Sequence, residues 1–501
     1  MYKEFYPLNQ FVAIKKRRYR KDGALPPDGF TVEVKSSGEC LITYQSVRAK
    51  SYARAALKSQ TIGGKAPVMR LKDYPSFPLR GVVEGFYGKP YTHEQRAALM
   101  PLLKKLKMNA YIYAPKDDEY HRARWREDYP QAEAEKLKEL FESAKKNEID
   151  FFFAISPGND FDFANGRDYE ILLQKLKKVK AMGVTKFALL MDDIEPKLSE
   201  EAKKSFSSPA AAHAYLANYL LENLCPASPF LFCPTDYMQN FDTPYREELR
   251  KTLDKKIEVF WTGYNTVAEA ITEEDGETVT RAFDRKPVLW DNYPVNDFNP
   301  KRRVYFGAIA GRGRKLHESH IGYIANLSEL YECNKIPLAT MADYAWDCEG
   351  YDAEQSLESA VREYFKGCVN AGRVFVKENA ANIMRAPLRR TKLFETPNFK
   401  ALNRHYLRVY AALITLQEKA PEAFREEAKE LIGFMKTECE LYFRYQGGGK
   451  KETMQAYAEP LNGSRYAPYD LSFLKHLNET YSFETPFTVD EDRVIYRNWE
   501  K

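Results

Sequence analysis

Two adjacent carboxylates, Asp192 and Asp193, stand directly after a run of five apolar residues at positions 187–191. An apolar run of this length is typical of a strand buried on both faces. Carboxylates at the carboxyl end of such a strand are well placed for chemistry, and like charges side by side raise the pKa of at least one of them. A raised pKa keeps a carboxylic acid protonated near neutral pH, as general acid catalysis requires. Taken alone, the pair is more typical of an ordinary solvated loop.

Strand-length apolar runs alternate with helical stretches between residues 80 and 350. Eight strands are predicted, at residues 81–85, 110–114, 151–155, 187–191, 230–233, 257–261, 287–290 and 321–325. Helices are predicted between them, at residues 92–107, 131–147, 171–182 and 210–224, whereas 262–284 is only partly periodic. Eight strands separated by helices over roughly 250 residues are typical of a (β/α)8 TIM barrel. A doubly wound sheet is the alternative, but the turn after the first strand, Gly85-Phe86-Tyr87-Gly88, lacks the dinucleotide-binding pattern.

Two further domains flank the predicted barrel. Residues 1–75 predict a small α/β domain, with strands at 30–34 and 40–44 and a helix at 46–60. Residues 351–501 predict a helical domain, with helices at 353–364, 376–384, 399–418 and 423–445. The predicted fold class is therefore α/β, with a TIM barrel at 76–350 that follows a small α/β domain and precedes a helical domain.

Composition argues against several classes of function. The 501 residues contain 76 Lys and Arg against 71 Asp and Glu, and a net charge of +5 argues against a main role on nucleic acids or membrane surfaces. The seven Cys show no CxxC spacing, so neither a disulfide framework nor a metal site is predicted, and no cofactor is implied. Residues 1–20 lack the apolar region of a signal peptide and no transmembrane run is visible, which predicts a cytoplasmic protein unless an export signal has been removed.

Polar residues follow the other predicted strands as well. They include Gly85 after the first strand, Lys116 after the second, Tyr237 after the fifth, residues 291–297 after the seventh and Asn326 after the eighth. In a barrel these strand ends share one rim, where the chemistry takes place. The rim would combine a lysine, carboxylates, amides and aromatic rings, a set able to hydrogen-bond hydroxyl groups and to donate a proton. This predicts a neutral, hydroxyl-rich substrate in which acid catalysis cleaves one bond.

Five segments are long and specific enough to indicate a family. They are residues 80–88 (RGVVEGFYG), 113–118 (YAPKDD), 191–194 (MDDI), 232–237 (FCPTDY) and 290–297 (WDNYPVND). In order and spacing, from about Asp73 to Asp347, the chain resembles glycoside hydrolase family 84, the O-linked N-acetylglucosaminidases and bacterial hyaluronidase-like β-N-acetylglucosaminidases. One departure is Tyr91, where known members usually carry Trp.

The resemblance implies an exo-acting, retaining hydrolase that works by substrate assistance. The 2-acetamido oxygen of the substrate would attack the anomeric carbon and form an oxazoline, so that no enzyme nucleophile is needed. By match, Asp192 would hold and polarise the acetamido N–H, and its charge would stabilise the oxazoline electrostatically. Asp193 would protonate the leaving oxygen and later deprotonate water.

The resemblance also assigns binding residues. Gly85, through its carbonyl, Lys116 and Asn326 would bind ring hydroxyls, and Asp297 would bind the 4- and 6-hydroxyls. Around the acetamido group the match places Asn292, Tyr237 and Trp290. Two simpler readings stay open from the sequence, because Lys116 could pair only with Asp117 or Asp118, and Trp290 could belong to the core.

Several alternatives remain at this point. The chain could be a non-catalytic carbohydrate-binding barrel, since fold alone never proves activity. It could also be an endo-acting, hyaluronidase-like hydrolase, or an ordinary two-carboxylate hydrolase in which Glu195 is the nucleophile. The expected partner is an N-acetylglucosamine-containing glycoside or glycoprotein. The natural aglycone and the oligomeric state stay open.

Overall fold

The computed structural model describes residues 2–297, 302–381, 389–448, 461 and 464–481, together with the backbone of two strands at Phe487–Asp490 and Arg493–Tyr496. Along this part of the chain a mixed sheet is followed by a closed barrel, and the barrel is followed by a group of helices. Within it, no helix has the length and apolar character needed to cross a bilayer.

The N-terminal part is a five-stranded sheet with one helix. Its elements are β1 (Glu4–Ala13), β2 (Lys16–Lys21), β3 (Phe30–Val34), β4 (Glu39–Tyr44), α1 (Val47–Ser59) and β5 (Lys65–Asp73). The strand order β1-β5-β3-β4-β2 leaves β1 and β2 at the two edges. Helix α1 buries Ala53 and Leu57 against Val32 and Ile42 of the central strands. The sequence missed β1 and β2 because nearly all of their side chains are exposed, so no alternating pattern marks them.

Eight parallel strands close into a barrel, which confirms the predicted fold class. The barrel strands are β6 (Leu79–Glu84), β7 (Ala110–Tyr113), β8 (Asp150–Ile155), β9 (Lys186–Leu190), β10 (Phe230–Cys233), β11 (Ile257–Trp261), β12 (Val288–Asp291) and β14 (Gly322–Asn326), while the short β13 (Arg302–Arg303) lies outside the barrel. Each barrel strand lies within two residues of its predicted position. Their residues are almost all buried, because side chains fill the interior on one face and helices cover the other.

The barrel wall separates two apolar clusters, one inside the barrel and one outside it. Val83, Ile112, Phe152, Phe260 and Ile324 belong to the cluster inside the barrel, whose buried members are all strand residues except Ala114, directly after β7. The larger cluster joins the outward faces of the strands to the surrounding helices. The barrel is therefore a filled core, and only its rim is free to form a site.

The helices around the barrel are α2 (His93–Lys105), α3 (Gln131–Lys146), α4 (Gly166–Ala181), α5 (Pro209–Leu224), α6 (Pro244–Thr252), α7 (Glu273–Phe283) and α8 (Tyr331–Trp346), with 3-10 turns at Glu119–His121, Gly158–Asp160, Ala202–Lys204 and Leu316–Glu318. Capping boxes start α2 at Thr92 and α7 at Thr272, where the side chain at N3 returns the hydrogen bond. The periodicity of residues 262–284 is only partial because the second half of this stretch is helical and the first half is a loop at the rim.

The C-terminal part is mainly helical. Its elements are α9 (Ala353–Tyr364), α10 (Val369–Glu378), α11 (Thr391–Glu395), α12 (Phe399–Lys419), α13 (Glu422–Glu427), α14 (Lys429–Gln446), β15 (Tyr466–Ala467), α15 (Ser472–Tyr481), β16 (Phe487–Asp490) and β17 (Arg493–Tyr496). The helix predicted at 376–384 lies instead at α10, and residues 382–384 lie outside the described residues. The sequence pattern did not predict a helix here because Gly372 is a poor helix former. The structure requires glycine at this position, since a Cβ would lie 2.4 Å from the side chain of Phe365.

The C-terminal part also differs from the prediction in its strands and its contacts. The predicted helix at 423–445 is two helices separated at Ala428. β15 pairs in parallel with β13, while β16 and β17 form an antiparallel hairpin. The apolar core of this part includes Val304 and Phe306 from the segment between β12 and β14. The proposed boundaries at 75 and 350 fall between elements and stay predictions.

Arg80 joins the N-terminal sheet to the barrel. It is fully buried at the start of β6, and its Nη2 lies 3.0 Å from Asp28 Oδ2 and 3.3 Å from Tyr52 Oη. Its Nε donates to the Lys107 carbonyl at 2.8 Å. Burial by itself raises the pKa of Asp28, but Arg80 and Arg48 outweigh that effect and lower it to about 2.

Arg80→Met is expected to reduce the free energy of unfolding by about 3–5 kcal/mol, because it leaves a buried carboxylate without its main partner. The measurement is the denaturant midpoint at neutral pH. The stabilisation that Asp28 gains from its lowered pKa is present above the carboxyl's unfolded value and is lost as pH falls toward 2, so the difference between variant and parent should shrink in acid. Arg54→Met, at an exposed position of α1, is the control and should change little. Equal midpoints for the two variants would contradict the assigned role.

Candidate active site

A cavity of about 490 Å³ lies where the barrel strands end. Its volume is within the range of about 300–1,000 Å³ that is usual for small-molecule sites. All nine residues proposed from the sequence line this cavity: Gly85, Lys116, Asp192, Asp193, Tyr237, Trp290, Asn292, Asp297 and Asn326. Six different strand ends supply them, so closure of the barrel brings together residues up to 241 positions apart, as for Gly85 and Asn326.

Lys116 bridges the two adjacent carboxylates. Its Nζ lies 3.1 Å from Asp192 Oδ2 and 3.5 Å from Asp193 Oδ2. The lysine side chain is only 7% exposed, and the adjoining carboxylates raise its pKa although burial opposes this. Lys116 is therefore paired with the carboxylates at the end of β9, whereas Asp118 instead accepts hydrogen bonds from Tyr113 and Tyr129.

Asp193 differs from the expectation of a raised pKa. Burial raises the pKa of this carboxyl, but Lys116, the hydroxyl of Tyr87 and Arg122 together outweigh burial and lower it. The prediction considered only the neighbouring carboxylate in the sequence. It was wrong for Asp193 because cations from other strand ends reach the same carboxyl group.

Tyr87 connects two parts of the cavity. Its Oη donates to Asp193 Oδ2 at 2.9 Å, and its backbone N–H donates to Asp297 Oδ2 at 2.7 Å. Burial raises the pKa of Tyr87, so the hydroxyl stays protonated and acts as a donor. Arg122 Nη1 in turn lies 3.5 Å from Tyr87 Oη. Tyr87, in the loop after β6, therefore contacts the proposed acid and also positions Asp297.

Trp290 and three amide-bearing groups form the deeper wall of the cavity. Trp290 Nε1 donates to Asn292 Oδ1 at 2.9 Å, and Asn326 Nδ2 donates to the same oxygen at 2.8 Å. Asn326 Oδ1 accepts from the Gly85 backbone N–H at 3.3 Å. A Cβ on Gly85 would lie 2.7 Å from Trp290 Cζ2, so this position needs glycine to leave room for the indole. Trp290 belongs to the barrel core and also lines the cavity, so both readings of it hold.

A sequence model described as beta-N-acetylglucosaminidase matches residues 80–377, which span the barrel and the first helices after it. The chain belongs to this family, glycoside hydrolase family 84. Two relatives, Protein O-GlcNAcase from Rattus norvegicus and from Mus musculus, are each 40% identical to this chain over 272 residues. The matched residues cover 53% of this chain and 30% of each relative. The chain therefore matches less than a third of the length of these curated relatives.

Two solved structures are similar to this chain. A Thermobaculum terrenum O-GlcNAc hydrolase is 27% identical, with a TM-score of 0.71 over 81% of this chain and 95% of that chain. The structure of CpGH84B has a TM-score of 0.81 over 96% of this chain and 99% of that chain, at 24% identity, and it supports the fold alone.

The family 84 cavity also contains residues to which the sequence assigned no individual role. They are Tyr87, Cys233, Met238, Thr262, Asn265, Thr266, Val267, Glu269 and Val295. Five of them lie in the loop after β11, which has no regular periodicity and so carries no signal of its own. Tyr87, Cys233 and Val295 stood inside quoted motifs. For Tyr87, the position two residues after the proposed binding residue Gly85 was the available clue.

Tyr237 contacts the carboxylate oxygen of Asp193 that Lys116 does not. Its Oη lies 3.5 Å from Asp193 Oδ1, and burial raises the pKa of Tyr237 to about 12. Glu195, the alternative nucleophile, is exposed and pairs with Lys197 at 2.6 Å without lining the cavity. Within the described residues, no group of three His, Cys, Asp or Glu side chains could hold a metal ion.

Proposed function

We propose that this family 84 protein is a retaining exo-β-N-acetylglucosaminidase that removes terminal β-linked N-acetylglucosamine with the help of the substrate's own acetamido group. The observation that carries the proposal is the arrangement of Asp192 and Asp193 around Lys116 in one cavity, with different surroundings for each carboxylate. Asp192 is nearly buried, whereas the Asp193 side chain is 38% exposed and faces two tyrosine hydroxyls. This difference in exposure suits a role for Asp192 as the group that stays charged and for Asp193 as the group that exchanges a proton.

Asp192 would accept the acetamido N–H of the bound sugar. Its negative charge then stabilises the positive charge that develops on the oxazoline, an electrostatic role that a buried carboxylate performs better than a solvated one. The ion pair with Lys116 holds this carboxylate in place. In the same step the acetamido oxygen forms a bond to the anomeric carbon while the bond from that carbon to the leaving oxygen breaks.

Asp193 would give its proton to the leaving oxygen. In the second step it takes a proton from water, whose oxygen attacks the anomeric carbon and reopens the oxazoline, so that the proton balance and the anomeric configuration are both restored. A sugar that fills the cavity excludes water from Asp193 and so raises its pKa above the lowered value caused by Lys116 and Tyr87. Protonation of the acid is thereby linked to substrate binding.

Tyr87→Phe is expected to move the alkaline limb of the kcat/KM profile to higher pH by roughly one to two units, since a hydrogen bond to a charged group contributes about 1.5–3 kcal/mol. Loss of the hydroxyl destabilises the Asp193 carboxylate, so the acid keeps its proton to a higher pH. The profile is measured with an N-acetylglucosaminide of poor leaving group. Tyr264→Phe, which removes a hydroxyl from the same rim without contact to Asp193, serves as the control. An unchanged limb in Tyr87→Phe would reject the link between these residues.

The direct test of the proposed activity is turnover of an aryl N-acetyl-β-glucosaminide, with the anomer of the released sugar followed by NMR. We expect the β-anomer first, as retention requires. Absence of turnover would favour a binding-only barrel, and an α-anomer would exclude substrate assistance. Neither the binding-only barrel nor an endo-acting hydrolase is favoured by a specific observation.

The natural substrate is a separate part of the proposal. Relatives are named protein O-GlcNAcase and O-GlcNAc hydrolase, which supports N-acetylglucosamine on protein as one substrate class. Comparison of O-GlcNAc glycopeptides with terminal β-linked N-acetylglucosamine on oligosaccharides would distinguish this class from glycan recycling. A cytoplasmic location stays a prediction.

A further inference from the structure

The positive charge of the chain is concentrated at its N-terminus. Residues 1–75 contain fifteen Lys and Arg against six Asp and Glu, a net charge of +9, while the other 426 residues contain 61 against 65, a net charge of −4. The small net charge of the whole chain therefore conceals a strongly basic N-terminal part. Such an asymmetry points to an acidic partner for that part.

The edge strand β2 carries much of this charge. Its sequence is KRRYRK, and all six residues are exposed. Among the residues that the structure describes it pairs with β4 alone, so in this part of the chain its other side presents unpaired backbone N–H and C=O groups. Because side chains alternate along a strand, Arg17 and Tyr19 lie on the side of α1, whereas Lys16, Arg18 and Arg20 lie on the opposite face.

A groove of about 420 Å³ runs between β2 and α1. Arg17, Arg54 and Lys58 line it together with the apolar side chains of Ile42 and Leu57, and no carboxylate lines it among the described residues. None of these three cations has a carboxylate within 4.0 Å in the described part of the chain, in contrast to Arg18, whose Nε lies 2.8 Å from Glu39. The groove thus combines unneutralised positive charge with an apolar floor.

We propose that β2 binds an extended acidic polypeptide segment as an added strand, whose acidic side chains, at alternate positions on the α1 face, lie against Arg17, Arg54 and Lys58, with their methylene groups on the groove floor. Strand addition uses main-chain hydrogen bonds for affinity and flanking side chains for specificity. A polypeptide satisfies the free strand edge, which a nucleic acid cannot do. Stacked bases are also disfavoured, because Lys50 Nζ already lies 4.5 Å from the centre of the Tyr19 ring.

This surface lies away from the proposed catalytic cavity. Arg48 of α1 pairs with Asp150 at 3.2 Å, and Arg80 pairs with Asp28, so the N-terminal sheet packs against the starts of β8 and β6. The cavity lies at the opposite ends of the strands. The proposal is therefore independent of the proposed hydrolase activity, and either can fail without the other.

The test is fluorescence anisotropy with the full chain and a short labelled peptide of alternating Glu and Val. We expect binding that weakens with salt, and loss of binding when Lys replaces Glu in the peptide. The double variant Arg17→Glu with Arg54→Glu should weaken binding by about tenfold or more. Lys138→Glu with Lys177→Glu, which makes the same charge change at exposed sites on barrel helices, should leave binding unchanged. Circular dichroism melting checks that both variants are folded.

A second peptide distinguishes strand addition from simple charge attraction. N-methylation of alternate residues in the same acidic peptide removes main-chain donors without changing its charge, and it should abolish most of the binding. Equal binding of the N-methylated peptide would overturn the proposal. So would binding of oligo(dT), heparin or anionic lipid vesicles by a protein that does not bind the acidic peptide, and so would equal effects of the two double variants.

Discussion

Asp193→Ala is expected to lower kcat/KM for N-acetylglucosaminides with poor leaving groups by about 10²–10⁴-fold, the usual contribution of a general acid. The same variant should retain much more activity on aryl glycosides with very acidic leaving groups, because these depart without a proton. The difference between the two substrates, rather than the loss itself, identifies the acid. Steady-state kinetics with a series of aryl leaving groups measures it as a steeper dependence on leaving-group pKa than in the parent protein.

The control for this variant is Glu195→Gln, two residues further along the same loop. Glu195 is exposed and pairs only with Lys197 in the described structure, so its replacement should leave the leaving-group dependence unchanged. If Asp193→Ala lowered both substrate types by the same factor, Asp193 would not be the acid. Its three hydrogen-bond partners would then serve to hold a binding residue.

Asp192→Asn is expected to lower kcat by about 10²–10³-fold, comparable to the loss of one oxyanion-hole donor in acyl-transfer enzymes. Asparagine keeps the size of the side chain but loses the negative charge that would face the oxazoline and Lys116. The effect should fall on kcat more than on KM, because the charge is needed mainly in the transition state. Thermal melting is the check that the substitution leaves the fold intact.

The identity of the nucleophile can be tested with the substrate. Stepwise fluorination of the acetamido group to trifluoroacetamide draws electrons from the carbonyl oxygen, so turnover by the parent protein should fall steeply with each fluorine. A flat response would point to an enzyme carboxylate as nucleophile. In that event Glu195→Gln, which substrate assistance expects to be silent, becomes the deciding variant, since a nucleophilic role requires that it be inactive.

The barrel was predictable for a physical reason. Each of its strands is buried on both faces, so apolar residues run continuously, and the eight runs stand out from amphipathic helices of a different period. The edge strands β1 and β2 lack such a signal because they are exposed, and α6 was missed because nine residues are too few for a clear period. The position of α10 depended on the packing of Gly372 against Phe365, a contact that no local pattern reveals.

The residues of the candidate site were also predictable, since strand ends in a barrel share one rim and specific motifs marked them. Their electrostatics were not. Adjacent carboxylates alone suggested a raised pKa, yet Lys116, Tyr87 and Arg122 lower the pKa of Asp193. These three residues lie between 71 and 106 positions from Asp193 in the chain, so their distances from its carboxyl group depend on barrel closure.

The sequence by itself determined which residue types stand at the strand ends, because hydrophobic burial places the apolar runs in the barrel wall and leaves the following polar residues on the rim. Only the tertiary structure decided which of these residues touch. It set the 3.1 and 3.5 Å contacts of Lys116 with the paired carboxylates and the hydrogen bond from Tyr87, and these contacts lower the pKa of Asp193. The reason is that Coulomb and hydrogen-bond energies depend on distances of a few ångströms in space, which separation along the chain does not specify.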